Sequence, residues 1–220
     1  MVTAGSRETT TKRPSTDTTS DGGATEPSQQ EASRRLTVWC KSLVFRGDGY
    51  AVFDDADGRM VFRVDNYGVG QGSDMALMDQ AGRVLLTVRR RHRKMLSLLP
   101  ETWEVYNGDI DDVKAIHGLG EQHLMMRATK DLCSSNCTIS VPAVDKPGLY
   151  RLSWSRQEEW SRIYRCGSTG DNTLVAEVRR KLGGPEKATL LGKDVLSLVV
   201  HPGMDHAITM AMLMIANSYR

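Results

Sequence analysis

The densest concentration of chemically active side chains in this sequence is basic. One cluster consists of Arg83 with the run Arg89–Lys94, and a second consists of Arg179–Lys181 with Lys187 and Lys193. Cations that converge on one face of a protein bind the phosphates of lipid headgroups or of nucleic acids. No aromatic residue is interleaved with the cations of the run, which argues against a single-stranded nucleic acid. We therefore expect an anionic lipid headgroup; the alternative is a solvated hairpin that keeps a strand edge from pairing with other chains.

The residues that we expect to contact the lipid belong to both clusters: Arg89, Arg90, Arg91, Arg93, Lys94, Arg179 and Lys181. Neighbours along a strand point to opposite faces, so only part of the run Arg89–Lys94 can touch one surface at once. Arg179 and Lys181 share a face of their own strand and complete the site if that strand lies near the run. Each exposed cation near an anionic surface contributes about 1 kcal/mol, so the binding should be weak and sensitive to salt.

The sequence contains no complete motif for catalysis, cofactor binding or metal binding, because the required residues are absent or wrongly spaced. The stretch Gly68–Gly72 resembles a dinucleotide-binding loop, but position 73 is Ser and a strand pattern follows it. Phe53 stands at the first position of a calcium-binding EF-hand loop in which Gly58 would be the sixth residue, and that first position needs an Asp. A Gly-x-Ser-x-Gly sequence is absent, and the Cys and His spacings do not form zinc-binding pairs. We expect no catalytic residue, no cofactor and no metal.

The composition is that of an ordinary soluble chain. It has 220 residues, 25% of them charged, a net charge of +2 and four cysteines, too few for a disulfide framework. Residues 1–33 are rich in Ser, Thr, Gly, Pro and Gln and contain no Leu, Ile, Phe, Trp or Tyr, so we predict a disordered tail followed by one domain over residues 34–220. Without an apolar signal segment or a transmembrane span, we expect an intracellular protein in the cytoplasm, peripheral at the plasma membrane or in the nucleus, and not a secreted one.

Turn-forming residues divide the chain from residue 36 onward into short runs with period-two alternation. In one of these runs Met60, Phe62 and Val64 share a face, and Val61, Arg63 and Asp65 share the other. The predicted strands are Val38–Val44, Tyr50–Asp54, Met60–Asp65, Asp74–Met78, Val84–Arg90, Leu96–Asn107, Leu124–Thr129, Thr138–Val141, Tyr150–Ser155, Arg162–Cys166, Leu174–Lys181 and Val195–Val200. This meandering series predicts a barrel or a sandwich.

The last segment is predicted to be a helix that is apolar on every side. Between Ala207 and Ala216 only Thr209 is polar, and Asp205 is a suitable N-cap. The run is too short to span a membrane, so it should be buried, with these residues in the core: Met204, Ile208, Met212, Leu213 and Ile215. The fold class that satisfies both patterns is a mainly β, closed antiparallel barrel of about twelve strands around a buried C-terminal helix.

Stretches along residues 36–216 resemble the plant LURP-one-related family, whose fold is similar to the Tubby C-terminal domain and the phospholipid scramblases. The matching segments include Leu36–Trp39, Gly47–Asp54, Val61–Tyr67, Leu85–Arg90, Trp103–Tyr106, Val175–Val178, Leu191–Val195 and Pro202–Asp205. The resemblance implies a twelve-stranded barrel around a central helix. It also implies kinship with membrane-tethered transcription factors and scramblases, and a role in plant defence or stress signalling.

From the cations and this resemblance we expect a non-enzymatic binding or tethering module that holds anionic phospholipid, in particular phosphoinositide, at a membrane surface. The alternative is a protein-interaction scaffold that binds protein partners and no lipid. An enzyme or a lipid transporter that uses the barrel interior is disfavoured, because the apolar helix fills that interior.

Overall fold

The protein is represented by a computed structural model that describes residues 32–40, 49–66, 74–91, 100–109, 124–142, 148–181, 192 and 194–218. Apart from Ala32 and Ser33, the tail predicted over residues 1–33 lies outside this part of the chain. The predicted lipid contacts Arg93 and Lys94 lie outside it as well, as do Lys187 and Lys193.

The described residues form twelve strands and one helix, with turns between them. They are β1 (Arg34–Trp39), β2 (Tyr50–Asp54), β3 (Met60–Asn66), β4 (Asp74–Asp79), β5 (Val84–Arg91), β6 (Thr102–Asn107), β7 (Leu124–Lys130), β8 (Asn136–Val141), β9 (Gly148–Ser155), β10 (Trp160–Cys166), β11 (Asn172–Arg180), β12 (Val195–Val200) and α1 (His206–Asn217). The predicted hairpin turns at Gly58 and Gly82 are confirmed, and both glycines have the positive φ, 69° and 81°, that these tight turns need.

The sheet closes on itself. Each strand pairs antiparallel with its neighbours in sequence, and β1 also pairs with β12, from Arg34 opposite Val200 to Trp39 opposite Val195. We call the end of the barrel that carries Arg34 and Val200 the base, and the end that carries Trp39 and Val195 the top. Because all pairs are antiparallel, every odd-numbered strand runs from base to top.

Alternation along the strands divides a core from an outer wall. On β1, Leu36 and Val38 are fully buried, whereas Arg35 is exposed and Thr37 half-buried. On β12, Leu196 and Leu198 are buried in the same way. Burial of each such side chain stabilises the fold by about 1.5–3 kcal/mol, so the period-two pattern decides which side of each strand faces the interior.

Helix α1 lies inside the barrel. The Asp205 carboxylate accepts a hydrogen bond from the Ile208 backbone N–H at 2.8 Å, which confirms the predicted N-cap. All residues from Thr209 to Ala216 are buried, more than two full turns, so every side of the helix is covered. It starts at the base, because the base is where β12 ends, and it packs against β5 and β9. A barrel of twelve strands leaves a lumen that its own side chains cannot fill, and the apolar helix fills it.

The five residues predicted to be in the core around the helix differ in how deeply they are buried. Met212, Leu213 and Ile215 are fully buried. Ile208 is half-buried near the base, where it packs against the core. Met204 is buried as predicted, in the turn before the helix.

Six strands start at residues that differ from the predicted ones: β8, β9, β10 and β11 each start two residues earlier, and the first and sixth strands differ more. The first was predicted over Val38–Val44, but β1 starts four residues earlier, at Arg34, because barrel closure pairs Arg34 with Val200. The sixth was predicted over Leu96–Asn107, whereas β6 begins at Thr102; residues 96–99 lie outside the described part. Pro100 has no N–H to donate to a sheet, which fits a strand that begins after it.

Candidate anion-binding groove

A groove of about 430 Å³ runs along the outer wall where β12 lies between β1 and β11. Its floor consists of Ser197 and Val199, which point outward from β12 because Leu196 and Leu198 point inward. Longer side chains stand on the flanking strands, since Val199 pairs with Arg35 of β1 and Ser197 pairs with Arg179 of β11. Short residues on a middle strand between long ones on both sides produce the groove.

The groove carries more positive than negative charge. Four cations line it, Arg35, Arg179, Arg180 and Lys181, against two carboxylates, Asp55 and Glu177. The excess among the lining residues is therefore two positive charges, and it falls to one when Glu159, the ion-pair partner of Arg180, is counted.

The cations differ in how firmly they are held. Lys181 Nζ donates a hydrogen bond to the Asp55 carboxylate at 2.9 Å and another to the Thr37 hydroxyl. Arg180 is paired with Glu159 at the top of the barrel. Arg179 donates to Glu177 at 2.8 Å but keeps 60% of its side chain exposed.

Arg35 is the most available of the four groove cations. Its side chain is exposed, and no carboxylate of the described residues forms an ion pair with it. Arg35 and Arg179 stand diagonally across the β12 floor, because Val199 pairs with Arg35 and Glu177 whereas Ser197 pairs with Thr37 and Arg179. A phosphate group between the two arginines would receive donors from both walls.

Both carboxylates of the groove are ionised at neutral pH. Burial favours the neutral acid at Asp55, but hydrogen bonds from Lys181 and Thr37 outweigh it and hold the pKa of that carboxyl below its usual value. Burial also favours the neutral acid at Glu177, but hydrogen bonds from Arg162 and Arg179 outweigh it and lower the pKa of that carboxyl. An anion therefore has to compete with Glu177 for a hydrogen-bonded Arg179, whereas at Arg35 it competes with the longer-range attraction of Asp55, whose pKa the charge of Arg35 also helps to lower.

The described part of the first basic cluster is built differently, as a ladder of opposite charges across four strands. The pairing register places Asp74, Arg89, Glu104 and Arg127 side by side on β4, β5, β6 and β7. Arg89 lies 3.2 Å from Asp74, and Arg127 lies 3.0 Å from Glu104. Two residues beyond Arg89, Arg91 lies 2.7 Å from the same Glu104.

Arg90, the remaining described cation of this run, is paired with Glu101 and lies over the Trp103 ring at 5.8 Å from its centroid. The three predicted lipid contacts Arg89, Arg90 and Arg91 thus each have a carboxylate partner. Their charges are largely balanced within the wall, which weakens their attraction for an external anion.

The described parts of the two predicted clusters, Arg89–Arg91 and Arg179–Lys181, do not come together. β5 and β11 are six strands apart in a ring of twelve, so they lie on opposite walls, about 20 Å from each other. Arg179 and Lys181 share a face, as predicted, but the side chain that joins them in the groove is Arg35. Sequence reasoning missed Arg35 because it placed the start of the first strand at Val38, which left Arg35 outside any strand.

A larger hollow of about 680 Å³ lies at the base, beside the start of α1. Its charges are balanced: Arg34 lies 2.6 Å from Asp54, and a backbone hydrogen bond from Ala56 together with the Arg34 side chain lowers the pKa of the Asp54 carboxyl. The His201 ring is hydrogen-bonded to Ser33 at 3.1 Å. This hollow lacks the excess positive charge that distinguishes the groove.

Known proteins share this architecture and its sequence pattern. The family model for the LURP-one-related proteins matches residues 34–217, from the start of β1 to the end of α1. This chain belongs to the LURP-one-related family. Protein LURP-one-related 5 of Arabidopsis thaliana is 36% identical over 188 residues, which cover 83% of this chain and 81% of that protein. Protein LURP-one-related 8 of the same plant is 32% identical over 183 residues, covering 82% of this chain and 84% of that protein.

The LURP-one-related fold also has a counterpart among solved structures. The X-ray structure of another Arabidopsis thaliana protein superposes with a TM-score of 0.56 at 18% identity, covering 86% of this chain and 91% of that one. At this identity the likeness shows the fold alone. Among the helices within the described ranges, none has the length and hydropathy needed to cross a lipid bilayer.

Proposed function

We propose that this LURP-one-related protein is a non-enzymatic binding module that holds the phosphorylated headgroup of an anionic phospholipid in the groove between β1 and β11. The observation that carries the proposal is the arrangement of Arg35 and Arg179 on opposite sides of a floor of short side chains, with four cations against two carboxylates around them. A guanidinium binds phosphate oxygens with two parallel hydrogen bonds, so two arginines that face one groove suit a phosphate better than two isolated lysines do.

The expected affinity is modest. Arg179 and Lys181 already contact Glu177 and Asp55, and a headgroup has to replace part of those contacts. The Arg179–Glu177 pair is exposed on its arginine side and contributes only about 0–1 kcal/mol, so its replacement is feasible. The Lys181–Asp55 pair is more buried and should stay intact. With about 1 kcal/mol for each cation near an anionic surface, the groove supplies a few kcal/mol, and screening reduces that as salt rises.

The test is co-sedimentation with phosphatidylcholine vesicles that contain or lack phosphatidylinositol 4,5-bisphosphate, at low and at physiological salt. We expect binding only with the phosphoinositide, weaker at the higher salt. The double variant Arg35→Glu, Arg179→Glu should lose it. The matched control is Arg59→Glu, Arg83→Glu, an equal charge change at two side chains that are 83% and 81% exposed in the β2–β3 and β4–β5 turns, outside the groove.

A third variant separates the groove from the opposite wall. Changing Arg89, Arg91 and Arg93 together to Glu tests the contacts predicted from the sequence, and we expect it to retain most of the vesicle binding. If it abolishes binding while the groove variant binds like the wild type, the lipid site lies on the β5 wall. If the wild type binds neither kind of vesicle, the protein-interaction scaffold replaces the lipid-binding module.

A further inference from the structure

Trp39 is an exposed aromatic residue directly beside the groove. It points outward at the top of β1, with 45% of its surface exposed. Thr37, two residues earlier on the same face, contacts the Lys181 ammonium group of the groove. Val195 pairs with Trp39 and belongs to β12, the strand that forms the groove floor. The ring therefore lies immediately above the cations, on the same wall.

The neighbours of Trp39 on this wall are apolar as well. Ala51 of β2 pairs with Trp39, and Phe53 of β2 pairs with Thr37. Because Thr37 points outward, so does Phe53, and Ala51, Phe53 and Val195 are all half-buried. One wall of the barrel thus combines an apolar patch, formed by Trp39, Ala51, Phe53 and Val195, with a groove that carries excess positive charge.

This combination matches the chemistry of a bilayer surface more closely than that of a free anion. Tryptophan is enriched at membrane–water interfaces, where its ring is in the apolar layer and its N–H reaches water. Cations next to it meet phosphates at the level of the headgroups. A soluble phosphate compound would use the cations and leave the apolar patch in water.

We propose that the wall formed by β2, β1, β12 and β11 is the membrane-docking face of the protein and that Trp39 enters the interfacial layer while the groove holds a headgroup. The proposal rests on the proposed function and adds an orientation: the barrel lies with this wall on an anionic bilayer and does not stand on its top end. Trp39 then contributes affinity for vesicles but none for a headgroup detached from its lipid.

The experiment measures binding to two probes in parallel. One probe is phosphatidylcholine vesicles with phosphatidylinositol 4,5-bisphosphate, by co-sedimentation; the other is the soluble headgroup inositol 1,4,5-trisphosphate, by calorimetry. For Trp39→Ala we expect the affinity for vesicles to fall about tenfold, because the exposed half of the Trp39 ring is no longer there to be buried in the interfacial layer. The affinity for the soluble headgroup should stay within about twofold of wild type.

Leu132→Ala is the matched control and also tests the orientation. Leu132 is 70% exposed in the turn between β7 and β8, at the top of the barrel but on the opposite wall. It should bind both probes like the wild type. Equal losses of vesicle binding for Leu132→Ala and Trp39→Ala would show docking by the top end and would overturn the proposed orientation.

The outcomes distinguish a failure of this inference from a failure of the function on which it rests. If Trp39→Ala binds vesicles as tightly as the wild type while Arg35→Glu, Arg179→Glu does not, the groove binds lipid and the docking role of Trp39 is wrong. If Trp39→Ala weakens binding to both probes equally, Trp39 acts on the groove itself and not on the bilayer. If the wild type binds neither probe, the proposed function fails first.

Discussion

Replacing Glu104 tests the strongest polar network that the structure shows. Only 4% of this side chain is exposed, although it points out of the barrel wall. Its carboxylate accepts hydrogen bonds from the Tyr106 hydroxyl at 2.6 Å, from Arg91 Nε at 2.7 Å and from Arg127 Nη2 at 3.0 Å. Glu104→Ala therefore removes the acceptor of three donors at once and leaves the buried Tyr106 hydroxyl without its carboxylate.

The expected loss of stability follows from those three contacts. An unsatisfied buried hydroxyl costs about 1–3 kcal/mol, and a hydrogen bond to a charged group is worth about 1.5–3 kcal/mol. Arg91 and Arg127 are 60% and 50% exposed, so water replaces much of what they lose and their share is small. We expect Glu104→Ala to lower the free energy of unfolding by about 2–4 kcal/mol, and Glu104→Gln, which keeps the shape of the side chain, by about half as much.

Urea denaturation at neutral pH measures this loss. The control is Arg59→Ala, which removes an 83% exposed side chain 3.7 Å from Asp57 and should cost nothing measurable. A double-mutant cycle between Glu104→Gln and Arg127→Met should give a coupling free energy of about 1 kcal/mol. A loss below about 0.5 kcal/mol for Glu104→Ala, together with zero coupling, would refute the reasoning, because the network would then contribute nothing to stability.

The same carboxylate should make stability depend on pH. Burial alone would raise the pKa of Glu104, but hydrogen bonds from Tyr106 and Arg91 outweigh it and lower the pKa from its ordinary value of 4.5. A carboxyl group whose pKa is lower in the folded state stabilises the fold above its unfolded pKa, and this contribution disappears as the pH falls through the folded pKa. The difference in the free energy of unfolding between wild type and Glu104→Gln should therefore be largest at neutral pH and should shrink below about pH 4. A difference that grows on acidification would contradict this assignment.

Three further predictions concern the core, the thiols and the tail. Leu213 is fully buried in α1, so Leu213→Ala should cost about 3–5 kcal/mol and lower the Tm by roughly 10 °C, while Leu213→Asp should abolish folding; a folded, soluble Leu213→Asp protein would contradict the central helix. Burial raises the pKa of the Cys137 thiol to about 12, so in the native protein a thiol reagent at pH 8 should modify the exposed Cys133 and leave Cys137 intact until urea unfolds the barrel. A chain that begins at Ser33 should unfold within about 2 °C of the full chain, and a much larger loss would show that the tail contributes to the stability of the domain.

Local patterns along the chain were sufficient to predict the architecture. Period-two alternation in runs such as Met60–Asp65 located twelve strands, because a strand with one buried face needs an apolar residue at every second position. The first of them overlaps β1 only at Val38 and Trp39 within the described residues. The absence of a polar face between Ala207 and Ala216 identified a buried helix, and Asp205 identified its start. These features are encoded by neighbours in sequence, so no knowledge of distant contacts was required.

The candidate site was decided by contacts between distant parts of the chain. Arg35 and Arg179 face the same groove only because barrel closure places β12 between β1 and β11, and no local pattern records that register. The same closure places β5 on the wall opposite β11, which separates two clusters that look equivalent in the sequence. A run of cations such as Arg89–Arg91 shows where charge is concentrated, but the strands alongside decide how much of that charge is available. On β5 the neighbouring carboxylates of Asp74, Glu101 and Glu104 form ion pairs that balance it. Arg35 lies beside the short Ser197 and Val199 side chains of β12 and near Asp55, but it forms no ion pair with a carboxylate of the described residues.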